Sequence, residues 1–315
     1  DEAGRERPSN DADDAKYALK KEIMIRLDGK ATANTIKEEI KEKVSAMKSR
    51  GERVPHLAAV LVGNDGASLS YVGSKVRSCE YVGFESTLIR LEETITEEAL
   101  LMQIDALNKD EKLDGYIVQL PLPKHIDEEK ILLAIDPKKD VDGFHPANFG
   151  RMALELDAFI PATPFGIMQL LERYEVPTSG KHCVVVGRSH IVGRPISILM
   201  SQKGPAGNAT VTVAHSRTEN LAELTRQADI VVMALGIPEY LTADMIKEDA
   251  VIIDVGITRV EDKNHPKGYV IKGDVAFDEV AQKASHITPV PGGVGPMTIA
   301  MLLQNTLLAR QWNLA

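Results

Sequence analysis

His182-Cys183-Val184-Val185-Val186-Gly187-Arg188-Ser189-His190-Ile191-Val192-Gly193-Arg194-Pro195 joins a β-branched run to a glycine-bearing turn and then to the opening of a helical pattern. A short apolar run bounded by turn residues predicts a strand buried on both faces, as in a parallel sheet. The turn opens a helix, so its backbone N–H groups and the positive end of the helix dipole suit a phosphate. The two glycines stand six positions apart, not in the commoner G-x-G-x-x-G spacing, and strand–glycine–helix turns also arise for purely structural reasons. The order of the segments downstream strengthens the phosphate reading. Residues 209–214, 230–234 and 251–255 are further strand-like runs, separated by helical patterns that begin near Gly193, Thr218 and Thr242. That order predicts a Rossmann-type dinucleotide-binding unit.

Upstream, a second alternating series appears. Ile36, Ile40, Val44 and Met47 fall at helical spacing and Gly51 stops them. Residues 57–62 read as a buried strand ended by Gly63-Asn64-Asp65-Gly66, and a helix is predicted over 68–81. Residues 84–91 read as a strand, Thr94 with Glu97 as a capping box for a third helix, and 115–118 as another strand. Strands alternating with crossover helices imply a parallel sheet covered on both faces. Pro121, Pro123, Pro137, Pro161 and Pro164 punctuate a boundary zone. A connecting helix is expected over 165–174, and a closing helix over 297–310 that returns to pack on the first unit.

The fold class expected is therefore α/β: two α/β domains flanking a cleft, the C-terminal one of Rossmann type. The division is 24–160 for the N-terminal catalytic domain, joined by a C-terminal helix over 296–311, and 161–288 for the cofactor domain. Residues 1–23 are polar and aperiodic and read as a disordered tail outside the fold. A length of 315 residues accommodates two domains, and 43% hydrophobic with 26% charged residues is ordinary globular usage. A formal charge of −9 is opposite in sign to a nucleic-acid footprint, so no nucleic-acid partner is expected. Two cysteines, Cys79 and Cys183, make no disulfide framework and suit a reducing, cytoplasmic setting. No metal site is expected, because no histidine, cysteine or carboxylate cluster has ligand spacing. No apolar stretch reaches the roughly 18–20 residues of a membrane span, and no signal peptide is expected.

Several residues stand where chemistry is placed in such folds. An NAD site commonly carries an acid at the end of the second strand, to hold the ribose 2′-hydroxyl. Here that strand runs into His215-Ser216-Arg217, with no acid. Arg188, Ser189, Ser216 and Arg217 instead offer donors to a 2′-phosphate, which favours NADP; a solvated surface role is the alternative for the two arginines. Tyr71 and Lys75, four apart on one helix, project from one face, an arrangement also common as surface decoration. Gln119 follows a strand, where open sheets bind ligands, and Asp142 lies in a turn whose default role is capping. The segment from Pro289 to Pro296 reads as a rigid loop before the last helix.

Six segments together resemble the bifunctional methylenetetrahydrofolate dehydrogenase/methenyltetrahydrofolate cyclohydrolase family. They are Tyr71-Val72-Gly73-Ser74-Lys75, Val118-Gln119-Leu120-Pro121-Leu122-Pro123, Lys139-Asp140-Val141-Asp142-Gly143, Pro161-Ala162-Thr163-Pro164, the Gly187 to Pro195 turn, and the loop from Pro289 to Thr298. They occur in the family's order. The resemblance implies NADP-dependent oxidation of 5,10-methylenetetrahydrofolate, then hydrolysis to 10-formyltetrahydrofolate, by a homodimer with folate between the domains. It implies that Lys75 is the catalytic lysine, that Tyr71 stacks on the folate rings, that Gln119 tunes Lys75 and that Asp142 holds the pterin. Leu120, Pro121, Pro291, Gly292 and Gly295 are expected to line the folate side, and Gly187, Arg188, Ser189, Gly193, Arg194, Pro195, His215, Ser216, Arg217, Gly256 and Ile257 the NADP side. The chain departs from some relatives in carrying Arg188 where they have Ala. Two other readings are an NADP-dependent dehydrogenase of another small substrate and a nucleotide-binding protein without catalysis. The first wants its Tyr-x-x-x-Lys near the nicotinamide, whereas Tyr71 precedes the Gly187 turn by over a hundred residues; the second would be expected to have lost Lys75 or Gln119.

Overall fold

The computed structural model describes residues 24–313, so the tail expected over 1–23 lies outside the described residues. In chain order the elements are β1 (Ile25–Arg26), α1 (Gly29–Ser49), β2 (His56–Val62), α2 (Gly66–Val82), β3 (Glu85–Leu91), α3 (Glu97–Lys109), β4 (Gly115–Val118), α4 (Glu128–Ala134), α5 (Pro146–Ala153), α6 (Ala162–Arg173) and β5 (His182–Val186). Then come α7 (Gly193–Ser201), β6 (Thr210–Ala214), α8 (Leu221–Gln227), β7 (Ile230–Met233), β8 (Val251–Asp254), β9 (Thr258–Glu261), β10 (Tyr269–Lys272), α9 (Phe277–Val280), β11 (His286–Ile287) and α10 (Val294–Trp312).

The first sheet is three-stranded, ordered β3-β2-β4, with every pairing parallel. The second is six-stranded and parallel, ordered β1-β11-β8-β7-β5-β6. Strand alternation explains how each sheet is covered on two faces. In β2, Leu57, Ala59 and Leu61 enter one apolar cluster while Ala58, Val60 and Val62 enter another. In β5, Cys183 and Val185 face the same cluster as Leu57, and Val184 and Val186 face the opposite way. The two sheets therefore share one core, filled by Ile36, Ile40 and Val44 of α1, Ile167 and Leu170 of α6, and Met301 and Leu303 of α10.

The closing helix does return to the first unit. Asn305, buried in α10, donates from Nδ2 to the Val141 and Ile160 carbonyls at 2.8 and 2.9 Å, and Arg310 Nε donates to the Arg53 carbonyl at 3.1 Å. Two sequence expectations are corrected, and one pairing is new. Thr96, not Thr94, caps α3, its side chain accepting from Ala99 N–H. The helix expected near Thr242 is one 3₁₀ turn over Ala243–Met245, since the polar run after it offers no continuous apolar stripe. Ile25 and Arg26 pair with β11 on the edge of the second sheet, although they precede the first. The antiparallel hairpin of β9 and β10 carries no clear sequence signal, being half-exposed and weakly patterned.

Replacing Asn305 by Ala would leave two buried carbonyls without donors, each costing about 1–3 kcal/mol. We expect a urea midpoint lowered by an amount equivalent to about 2–4 kcal/mol, with the denaturant slope unchanged.

Candidate active site

The first cluster forms where β2 and β4 end side by side. Val60 pairs with Val118, and Gln119 N–H donates to the Val60 carbonyl at 2.9 Å, which holds the Gln119 side chain at the carboxyl edge of the sheet. β2 turns through Gly63 into α2, whose first turn is capped by Asp65 accepting from Ser68 N–H at 2.8 Å. That cap sets the helix phase, so Tyr71 and Lys75, one turn apart, face the same edge. Lys75 is only 6% exposed; its Nζ donates to Gln119 Oε1 at 3.3 Å and lies 4.4 Å from the centroid of the Tyr71 ring. Gln119 Nε2 in turn donates to the Leu120 carbonyl at 2.8 Å, which orients Oε1 toward the amine.

Burial pushes the Lys75 ammonium below the ordinary lysine range, against the charge of Asp142 and, more weakly, that of Cys79. Burial also raises Asp142, opposed by Lys75, and holds the Tyr71 phenol protonated. The turn presenting Asp142 is built by its neighbour. The buried Asp140 carboxylate accepts from Phe144 N–H, His145 N–H and Asn148 Nδ2, and desolvation still lifts it to about 6. Thr298 of α10 meets Thr163 Oγ1 at 2.9 Å, which brings the 161–164 and 289–298 segments together beside Tyr71.

The second cluster forms at the carboxyl edge of the six-stranded sheet. Gly187 has φ +135°, and a Cβ there would sit 2.4 Å from the Ala234 carbonyl; a Cβ on Gly193 would sit 2.2 Å from the Gly187 carbonyl. Only glycine permits that approach of strand, turn and helix. Ser189 Oγ accepts from Val192 and Gly193 N–H, so it caps α7 and takes two of the N–H groups that the sequence reading offers to a phosphate. Arg188, Arg194, Ser197 and His215 line a cavity of about 420 Å³ that contains no carboxylate. Two guanidiniums and an imidazole make a donor set suited to the phosphate of NADP, while the Ser197 hydroxyl donates to the Gly193 carbonyl at 2.6 Å. Pro195 is buried in the first turn of α7, while Ser216 and Arg217 are exposed beside His215, whose Nδ1 accepts from Arg217 N–H.

Gly256 and Ile257 lie elsewhere, in a cavity of about 220 Å³ that they share with Pro291, Gly292 and Gly295. Residues assigned to opposite ligands thus meet at one place. Beneath it are two carboxylates that sequence reasoning misses. Asp254 accepts from the N–H groups of Gly256, Asp274 and Val275, and Asp274 accepts from those of Leu235 and Gly236. An acid at a strand's end before a glycine is the available signal. Leu120 and Pro121, which follow Gln119, are joined by a cis peptide bond, as are Val290 and Pro291. Among the described residues no group of three or more histidine, cysteine or carboxylate side chains is placed to hold a metal ion.

A doubly wound parallel sheet with an anion-binding turn, facing a buried amine across an apolar junction, defines a two-unit, dinucleotide-binding α/β enzyme. Comparison with known proteins narrows the class. Residues 27–142 match the catalytic-domain model, and residues 161–314 the NAD(P)-binding-domain model, of tetrahydrofolate dehydrogenase/cyclohydrolase. The chain belongs to that family. It is 71% identical over 288 residues to the bifunctional protein FolD of Flavobacterium johnsoniae, covering 91% of this chain and 98% of that one. The crystal structure of the Campylobacter jejuni bifunctional enzyme FolD superposes with a TM-score of 0.86 at 48% identity, covering 91% and 99% of the two chains. The Trypanosoma brucei dehydrogenase-cyclohydrolase, solved with NADP cofactor and inhibitor, superposes with a TM-score of 0.87 at 38% identity, covering 92% and 98%.

A lysine held below its ordinary range destabilises the fold wherever it is protonated in the unfolded chain and neutral in the native one. Stability then rises with pH between the native and unfolded lysine values. Lys75→Met removes this cost, so the variant is expected to melt above the wild type, with the gap narrowing as pH rises toward the ordinary lysine value of 10.5. Calorimetric melting temperatures across the alkaline range check it.

Proposed function

We propose that the protein is a bifunctional folate enzyme: it oxidises 5,10-methylenetetrahydrofolate with NADP to the 5,10-methenyl cation and hydrolyses that to 10-formyltetrahydrofolate. The observation that carries the site assignment is the buried Lys75, whose partner is the neutral Gln119 and whose neighbour is the Tyr71 ring.

NADP, when bound, supplies the acceptor for the hydride that leaves the one-carbon bridge. Gly187 and Gly193 would let the backbone approach it, Arg188, Arg194 and His215, which line one cavity, would hold its phosphates, and Gly256 and Ile257 would hold it from the second cavity. Tyr71 stacks on the folate rings, Asp142 accepts from the pterin, and Leu120, Pro121, Pro291, Gly292 and Gly295 close the folate side. Orientation of two bound molecules is the main demand of this step. In the second step water adds to the methenyl carbon, the bond from that carbon to N5 breaks, and one proton is released overall. Lys75, its ammonium form disfavoured by desolvation, takes the proton from the attacking water at Nζ and returns one to N5 as the ring opens. Gln119 holds Nζ without the full charge that would lock the ammonium in place.

The assembly is a homodimer, supported by the family resemblance. Both cysteines are free and buried, in keeping with a reducing, cytoplasmic setting, and no described helix is long and apolar enough to cross a membrane.

The decisive experiment follows NADPH formation and methenyl decay separately. Lys75→Met is expected to lose roughly 10²–10⁴-fold in hydrolysis while still binding NADP; hydrolysis within threefold of wild type would remove Lys75 from the mechanism. Gln119→Lys places a like charge on Lys75 and should move the acid limb of the hydrolysis pH profile downward as well as slowing it; an unmoved limb counts against the pairing. NADP is expected to exceed NAD by at least about tenfold in kcat/KM, a difference of about 1.4 kcal/mol that one charge-assisted contact supplies. Arg188→Ala should cost NADP more than NAD, and equal losses would place Arg188 away from the 2′-phosphate.

A further inference from the structure

Three neighbouring strands of the second sheet, β7, β8 and β11, end beside the cavity that Gly256 and Ile257 share with Pro291, Gly292 and Gly295. Two aspartates and a threonine tie the loops that follow them. Asp254, the last residue of β8, accepts from Gly256 N–H at 2.9 Å in its own loop, and from Asp274 and Val275 N–H at 2.9 and 3.0 Å. Asp274 carries the connection onward, its Oδ2 accepting from Leu235 and Gly236 N–H at 2.7 and 3.0 Å in the loop after β7. On the other flank Asp254 N–H donates to Thr288 Oγ1 at 2.7 Å, just after β11 and just before the loop that begins at Pro289. All three side chains are buried. The aspartates interlock with two glycines: a Cβ on Gly256 would lie 2.2 Å from Asp274 Oδ1, and one on Gly273 would lie 1.9 Å from Asp254 Oδ2. Asp274 Oδ1 has no hydrogen-bond partner among the described residues. Enclosing such an oxygen is unfavourable, so the arrangement calls for a role beyond stability.

Hydride transfer supplies that role. The donor carbon and the acceptor ring have to approach within about 3–3.5 Å, and a misplacement of about 1 Å costs about 10²-fold in rate. In the reading above a C–H bond of the one-carbon bridge breaks, the hydride passes with both electrons to the nicotinamide ring, and the folate is left as the methenyl cation. The loop on the cofactor side, Gly256 and Ile257, and the loop on the folate side, Pro291 to Gly295, are both tied to Asp254, the first through its carboxylate and the second through its N–H and Thr288. We propose that Asp254, Asp274 and Thr288 are positioning residues for hydride transfer, which fix these two loops against each other and so set the approach of the two ligands. Lys75 and Gln119 stand at the edge of the other sheet, and hydrolysis does not draw on this network. The inference rests on the folate and NADP reading above and names what governs its first step.

The carboxylate oxygens are used unequally, which separates the variants. Asp274→Asn keeps an oxygen acceptor for Leu235 and Gly236, with the amide nitrogen where Oδ1 has no partner, whereas Asp254→Asn has to turn an NH₂ group toward an N–H donor. The test assays the full chain in two separate reactions: NADP-dependent oxidation of 5,10-methylenetetrahydrofolate with a CH₂ or CD₂ bridge, and hydrolysis of supplied 5,10-methenyltetrahydrofolate without NADP. Asp254→Asn and Asp274→Ala should each lose about 10²-fold in kcat for oxidation, with a larger primary deuterium isotope effect than the wild type as the hydride step becomes limiting. Hydrolysis, and NADP affinity by equilibrium dialysis, should stay within about threefold of wild type, because Arg188, Arg194 and His215 line a separate cavity. Asp274→Asn should oxidise within about tenfold of wild type, since its acceptor survives. Thr288→Val, which removes only the acceptor of the Asp254 N–H, should show the same pattern more weakly, and it carries the test if Asp254→Asn does not fold. Oxidation at the wild-type rate in both Asp274→Ala and Thr288→Val overturns the proposal. So does hydrolysis that falls in parallel with oxidation, which would make the network merely structural, or an Asp274→Asn variant as impaired as Asp274→Ala, which would make charge rather than position the cause. A wild type that performs neither reaction removes the folate reading, and this inference with it.

Discussion

The packing of one helical layer between two parallel sheets is the constraint on which the site depends. α1, α6 and α10 present apolar residues to β2 on one side and to β5 on the other, in a single continuous core. Because interiors are close-packed, the carboxyl edges of the two sheets cannot shift relative to each other without opening voids in that layer. The buried Asn305 bridges to Val141 and Ile160, on either side of the turn that holds Asp142. Thr298 reaches Thr163 from the same helix. The two halves of the chemistry are thus held by a helix that contributes little chemistry of its own.

Within that frame the cleft uses desolvation in two opposite ways. Lys75 is a base whose charged form burial disfavours, while Asp140 is an acid that burial makes hard to ionise and that three donors nevertheless hold in place. The first case shifts the amine toward its uncharged, reactive form. The second uses a carboxylate as a clamp for a turn, so that Asp142 is presented toward the amine. Asp254 and Asp274 repeat the clamping on the dinucleotide side, where backbone N–H groups of three loops converge on two carboxylates. Both sides of the junction are therefore loops tied down by buried acids, a rigid support suited to orienting two ligands.

The anion-binding features divide in the same spirit. The Gly187–Gly193 turn depends on missing side chains, whereas the Arg188 and Arg194 pair and the Lys30, Lys37 and Arg77 group line cavities that hold no carboxylate. In an acidic chain such unpaired basic clusters are local exceptions, and each borders the cleft.

Much of this is legible in the residues alone, because it is local. Strand runs such as 182–186 and 115–118 are marked by burial on both faces, helix phases by apolar spacing, and the dinucleotide turn by its place at the head of the second series. Tyr71 with Lys75 is a spacing on one helix, and Gln119 a position at a strand's end. Which distant groups those residues meet is not written in the local pattern. The Lys75–Gln119 contact spans 44 positions, and its consequence for the amine comes from burial, which belongs to the packed molecule. The helix expected after Thr242, the edge strand at Ile25 and the β9–β10 hairpin escape a local reading because pairing partners settle them. The carboxylate clamps stay hidden for the same reason: an aspartate near a glycine looks like any turn until backbone donors from a distant loop close on it. Sequence determined the elements and the chemical types at their ends, and tertiary structure decided which of those ends share a cleft and which charges there go unanswered, because only packing removes water and sets distances between residues far apart in the chain.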